Sequence, residues 1–334
     1  MTGVRNRCPT PPGRNGGCAV LWHTGGADTR TRGPSTRTRS TSWRIGALSM
    51  TPTLVRNLRD ADPSAPADAG TRARDWAEIQ ERMLAPLYEA VYDRLEVGAA
   101  TRMLSLGCGS GLALLIAAAR GAQVTGVDSD RERLALARAR LLPEEGAEGA
   151  PSHRARLHES GLPAGAGADG APYGLITVFE PIGCAAGDSE GLVPALEAAL
   201  PLAARGATVV LTGWGPPERC ATAPVLRVAA RLTESARPPR PGGWRPTLRD
   251  DLEDVAARAG LKPDGSGRVS CPFGYADQES AVRGLLSTGL FDDAVRATDR
   301  SQVEKEVAEA LHPYRRPDGT VWMPNVFRYL VCTA

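Results

Sequence analysis

The chain has 334 residues, 42% of them hydrophobic and 23% charged, and no run of 18 or more continuously apolar residues, so a membrane helix is not expected. Seven cysteines stand singly at positions 8, 18, 108, 184, 220, 271 and 332, an odd number without CxxC spacing. That pattern argues against a disulfide framework and a structural zinc site, and it points to a reducing cytoplasm with no bound metal.

Charge divides the chain. Residues 1–49 hold eight arginines and one aspartate, leaving a net charge of −5 on the remaining 285 residues. The part able to fold is therefore acidic, which speaks against a nucleic-acid partner. Residues 1–49 show no hydrophobic period and read as a disordered, Arg-rich tail, either a basic arm or sequence upstream of a start at Met50. Residues 50–100 read as a helical cap segment. Within it Trp76, Ile79, Met83, Leu84, Leu87, Val91 and Leu95 recur at helical spacing, with a break or bend near Pro86. Trp76 and Gln80, one turn apart, are candidates to face a ligand.

Next comes a βαβ pattern. Arg102–Leu106 reads as a short buried strand, Gly107-Cys108-Gly109-Ser110-Gly111 as a tight turn, Leu112–Arg120 as a helix, and Gln123–Val127 as a strand ending on Asp128. Glycines allow positive φ and close approach of a ligand, and a helix N-terminus offers free N–H groups. An acidic residue closing the second strand can accept both hydroxyls of a ribose. Together these features predict a nucleoside site.

The Gly107-Cys108-Gly109-Ser110-Gly111 turn with Asp128 seventeen residues later resembles the first motifs of class I, Rossmann-like S-adenosyl-L-methionine (SAM)-dependent methyltransferases. The resemblance implies an α/β fold: a doubly wound, mostly parallel seven-stranded sheet with helices on both faces and a helical cap. It implies SAM as cofactor, held by Trp76, Gln80, Gly107, Cys108, Gly109, Gly111, Asp128, Ser129, His158, Glu159 and Phe179. Here the glycines border the methionine part, Asp128 the ribose and Ser129 the adenine edge, with His158 or Glu159 in place of the family's acidic residue after the third strand. Three positions depart from the family pattern. Ser105 stands where an acidic residue often holds the SAM amino group, His158 stands near the usual Asp, and Gly174 replaces a frequent acidic residue of the fourth strand.

Later elements follow the same plan. A fourth strand, Tyr173–Phe179, delivers Glu180 to the sheet's carboxyl edge, a helix spans Leu192–Ala203, and a fifth strand, Thr208–Thr212, leads to Trp214. A helix over Thr247–Ala259 precedes a strand near Arg268–Cys271, and Asn325–Cys332 reads as the last strand. Residues 101–277 and 314–334 thus form the SAM-binding core. Between its last two strands lies an insertion, 278–313, with two helical patterns that can cap the site or form a homodimer surface. Glu180 and His158 are the candidate general bases, with His312 a further one; Glu180, Trp214, Tyr275 and Tyr314 are candidates for acceptor binding. No NPPY-like segment follows the fourth strand, so a small molecule or modified peptide of specialised metabolism, methylated on O or N, is the expected acceptor. Displacement within SAM releasing methylthioadenosine, or a fold retained as an inactive scaffold, are the alternatives.

Overall fold

The structure is a computed structural model that describes residues 69–142, 155–159, 161–162, 170–233 and 244–334. The expectations for the basic tail and for residues 50–68 lie outside the described residues.

A distorted helical strap comes first. Helix α1 (Ala69–Asp75) runs into a π-helical turn at Trp76–Gln80 and a 3-10 turn at Glu81–Leu84, then into α2 (Ala85–Arg94). Pro86 sits in the first turn of α2, where its missing N–H costs nothing; a regular helix through it would lose a bond and meet the ring. The expected break near Pro86 is therefore a change of helical pitch rather than a gap. It turns Ile79, Met83, Leu84, Leu87 and Val91 into the core.

Seven strands form the main sheet: β1 (Arg102–Leu106), β2 (Gln123–Asp128), β3 (Ala155–Glu159), β4 (Tyr173–Ile182), β5 (Ala203–Trp214), β6 (Lys262–Ser270) and β9 (Val326–Thr333). Their order is β3-β2-β1-β4-β5-β9-β6, parallel except for β9, which runs antiparallel to both its neighbours. The order reverses between β1 and β4, and ligands of such sheets bind at the carboxyl ends of the strands beside that switch. One face is covered by α2, α3 (Leu112–Ala119), α4 (Arg131–Leu141) and α6 (Ala223–Thr233), the other by α5 (Asp188–Ala199) and α7 (Asp251–Arg258). This is the expected doubly wound sheet.

Helix boundaries moved where carboxylates fix a loop. Helix α5 starts at Asp188, whose Oδ2 accepts the N–H groups of Gly183, Cys184 and Ala185. Helix α7 starts at Asp251 instead of Thr247, because Asp251 accepts the Leu248 N–H at 2.8 Å and pairs with Arg245 at 3.0 Å, while Thr247 donates to the Gly183 carbonyl at 2.6 Å. Arg245 also pairs with Asp188 at 2.9 Å, so one guanidinium closes both loops.

The insertion holds three helices where two were expected: α8 (Gln278–Leu286), α9 (Asp292–Ala297) and α10 (Arg300–Leu311). Asp277 and Asp299 cap α8 and α10 by accepting the N–H of Ser280 and Gln302. Its base is closed by an unforeseen two-stranded ribbon, β7 (Phe273–Tyr275) against β8 (Val321–Met323). Insertion and strap are joined by Arg283–Asp75 at 3.3 Å, Arg72–Asp292 at 2.9 Å and a bond from the Tyr275 hydroxyl to Gln80 at 3.0 Å.

Gly126 of β2 is required by packing. A Cβ there would stand 2.5 to 2.9 Å from Leu114, Cys108 and Leu157. Gly126→Ala is expected to destabilise the fold by about 1–3 kcal/mol through overpacking, read from the midpoint of denaturant unfolding.

Candidate functional site

The turn between β1 and α3 takes a backbone conformation that favours glycine at three of its five positions. Gly107, Gly109 and Gly111 have φ of +65°, +57° and +82°. The turn is pinned from below: Cys108 donates its N–H to the Val127 carbonyl of β2 at 3.1 Å, and Gly109 donates to Asp128 Oδ2 at 2.6 Å. Asp128 Oδ1 accepts the Asp130 N–H at 2.8 Å. Burial raises the Asp128 carboxyl above its ordinary value, partly offset by those two N–H donors. Each oxygen keeps a free lone pair, so the carboxylate is oriented yet still able to accept.

The strap holds the turn from above. Buried Glu81 accepts the Ser110 N–H at 3.2 Å and the Ser110 hydroxyl, and it pairs with Arg140 of α4 at 2.9 Å. Arg140 also donates to the Ser110 carbonyl at 2.9 Å and to the Ala77 carbonyl at 3.3 Å. The Trp76 ring lies under the Arg133 guanidinium at 4.1 Å, and Arg133 reaches the Ser287 carbonyl of the insertion at 3.3 Å.

These elements enclose a crevice lined by Trp76, Gly107, Cys108, Gly109, Asp128, Phe179 and Glu180 among the expected residues. Leu84, Tyr88, Ala113, Ser105, Glu81 and Arg133 complete it. Phe179 packs against Tyr88, ring centres 4.8 Å apart, and edge-on against Tyr92 at 5.5 Å. Glu180 keeps solvent access, yet the protein crowded around it raises its carboxyl above the ordinary range, with Arg133 opposing and Asp128 reinforcing the rise. Burial, then the Asp128 charge, pushes the Cys108 thiol up to about 12, so it is no nucleophile at neutral pH.

Other expected residues lie elsewhere. Gln80 is buried against Tyr275, which is itself buried beside Phe273, so neither lines the crevice. Gly111 opens α3 as its left-handed cap and packs on Ala137. Ser129 is exposed next to Asp128, and Glu159 pairs with Asp128 in the strand register. His158 pairs with Val127 on β3 and does not reach the crevice; burial, then Arg156, lowers its imidazole. Trp214 packs on Phe327 and Phe273 and lines a separate cavity of about 10 Å³ with Cys184 and Trp244. Tyr314 packs, half-buried, on the core, and His312 lies in a surface groove with Lys305 and Arg315. Sequence reasoning passed over Glu81 and Tyr88. The signal available was Gln80-Glu81, a polar pair interrupting an apolar helical stripe.

A nucleoside cofactor carrying an amino-acid tail fits this donor set. A Cβ on Gly107 would lie 3.4 Å from Glu180 Oε2, and one on Gly109 would lie 3.0 Å from Glu81 and 3.4 Å from the Trp76 indole nitrogen, so the turn is a cradle that side chains would fill. The indole nitrogen has no hydrogen-bond partner among the described residues. The crevice itself encloses about 20 Å³, room for roughly one water.

Residues 104–164 match a family described as a methyltransferase domain. Over these residues, which include the glycine turn and Asp128, the chain is similar to a methyltransferase domain. No curated protein matches its sequence. Among solved structures it is similar to YjhP from Escherichia coli, at 18% identity over 78% of this chain and 98% of that one, with a TM-score of 0.45. YcgJ from Bacillus subtilis aligns at 14% identity over 74% and 97%, with a TM-score of 0.45. The geranyl diphosphate C-methyltransferase of Streptomyces coelicolor, determined with Mg2+, geranyl diphosphate and S-adenosyl-L-homocysteine, aligns at 15% identity over 80% and 85%, with a TM-score of 0.41.

Under the resemblance to SAM-dependent methyltransferases, the glycine turn would border the methionine part of SAM, and Asp128 would accept from the ribose. Asp128→Ala is expected to weaken SAM binding at least tenfold in calorimetric titration, since hydrogen bonds to a charged acceptor are worth about 1.5–3 kcal/mol each. Unchanged affinity would remove the ribose assignment.

Proposed function

We propose that this chain is a SAM-dependent methyltransferase acting on an oxygen or nitrogen atom of a small molecule or modified peptide, in specialised metabolism. The observation that carries the reading is Glu180. It stands at the carboxyl end of β4, in the same crevice as the glycine turn, with its carboxyl raised above the ordinary range by the surrounding protein.

When bound, SAM supplies a methyl group activated by its sulfonium sulfur, and transfer is an in-line displacement that rewards positioning above all. The protein's part is to hold the acceptor against Phe179 and Glu180 and to receive its proton. A hydroxyl or protonated amine must lose a proton to become a nucleophile, and a carboxylate with a raised pKa is a better base for that purpose than an ordinary one. The strap walls the crevice on one side and limits water there. A small acceptor is further supported by the net charge of −5 on residues 50–334, which offers no attraction to a phosphate backbone.

Incubation with methyl-labelled SAM and a panel of phenols, alcohols and amines tests the reading. Labelled O- or N-methyl product with S-adenosylhomocysteine supports it; a C-methyl product, or methylthioadenosine as the only nucleoside, contradicts it. Because the base must be ionised, turnover is expected to fall as pH drops through the raised Glu180 pKa. The midpoint of that limb should lie above the ordinary value for Glu, and the limb should vanish in Glu180→Gln.

A further inference from the structure

Two hydroxyls and one carboxylate oxygen lining the crevice are not saturated by the protein. The Ser105 hydroxyl, fully buried near the end of β1, has no hydrogen-bond partner among the described residues. Tyr88 is 3% exposed, and its hydroxyl likewise has no hydrogen-bond partner among the described residues. Burial pushes its phenol well above the ordinary value, so it remains a donor. A buried hydroxyl left unpaired costs about 1–3 kcal/mol, so the Ser105 hydroxyl marks where an acceptor belongs, and the Tyr88 phenol on the same crevice is a second donor.

The third group is Glu81. Its Oε2 is occupied by the Ser110 hydroxyl and Arg140, but Oε1 accepts only the Ser110 N–H, at a long 3.2 Å. That oxygen stands 3.0 Å from where a Cβ on Gly109 would be, on ground that a ligand lying along the turn must cross. Arg140 fixes the carboxylate in this orientation before any ligand arrives.

The chemistry of SAM decides what these groups face. Its amino-acid end is a zwitterion: an ammonium that needs acceptors and a carboxylate that needs donors. Three carboxylates line the crevice, Glu81, Asp128 and Glu180. Asp128 belongs to the ribose and Glu180 to the acceptor, and Ser105 carries no charge. We infer that Glu81, Tyr88 and Ser105 hold the amino-acid end of the cofactor, Glu81 accepting from the ammonium and the two hydroxyls donating to the carboxylate. Two of the three come from the N-terminal strap, so the strap is part of the cofactor site as well as its cover. The inference rests on SAM being the ligand of this crevice.

Two ligands separate the inference from that premise. S-adenosylhomocysteine has the amino-acid end; methylthioadenosine keeps the nucleoside and the sulfur but lacks it. In calorimetric titrations of the full chain, Glu81→Gln and Tyr88→Phe are expected to bind S-adenosylhomocysteine at least tenfold and at least fivefold more weakly, respectively, with methylthioadenosine affinity held within about twofold. Tyr88→Phe removes a single oxygen and leaves the packing on Phe179, so it reports on the contact even if Glu81→Gln loosens the strap. Unchanged S-adenosylhomocysteine affinity in both variants overturns the inference. Equal loss for both ligands overturns it too, because the residues would then serve the shape of the turn. A wild-type chain that binds neither ligand removes the SAM reading and this inference with it; binding of both, weakened together by Asp128→Ala, upholds the premise whatever the strap variants do.

Discussion

Three residues with positive φ within five positions would cost any other sequence several kcal/mol of backbone strain, and the glycines of 107–111 avoid that cost only by giving up side chains that could hold the turn in place. The turn is therefore stabilised from outside. Asp128 and the Val127 carbonyl hold it against β2, while Glu81 and Arg140 hold Ser110 from the strap and from α4. The N–H groups of Cys108, Gly109, Ser110 and Gly111 are all engaged within the protein, so the turn offers a ligand room and close backbone approach rather than free donors. Much else in the fold keeps those two clamps in register. Parallel pairing of β1 with β2 sets Asp128 beside the turn, and Pro86 resets the helical pitch so that the residues ahead of α2 face the turn.

The same clamps explain how closed the site is. Glu81 and Trp76 lie against Gly109, Arg133 covers Trp76, and the insertion is joined to the strap through Tyr275, Arg283 and Asp292. Most of these bonds are polar and only partly buried, so they are cheaper to open than the apolar core beneath them. A π-helical turn followed by a 3-10 turn places the irregular part of the strap over the glycines.

The sequence made the core legible because the βαβ signal is local: an apolar strand, a glycine turn and an acid at the end of the next strand all fall within 27 residues. The boundaries of α5 and α7 were not, since they depend on Arg245 meeting Asp188 and Asp251 across the fold. Tyr275 reads like a pocket residue until its ring is seen buried with its hydroxyl on Gln80. His158 was chosen by position along the chain, and the register of β3 leaves it outside the crevice. Glu81 shows in the sequence only as an interruption, with Gln80, of the apolar helical stripe; its role comes from its distant partners Arg140 and Ser110.

The central claim is that the clamped turn binds SAM and leaves it intact until an acceptor is present. The most direct test is titration of the full chain with SAM, followed by mass analysis of the nucleoside after prolonged incubation without acceptor. The account predicts saturable binding and recovery of SAM unchanged. No binding, or conversion to methylthioadenosine, would contradict it.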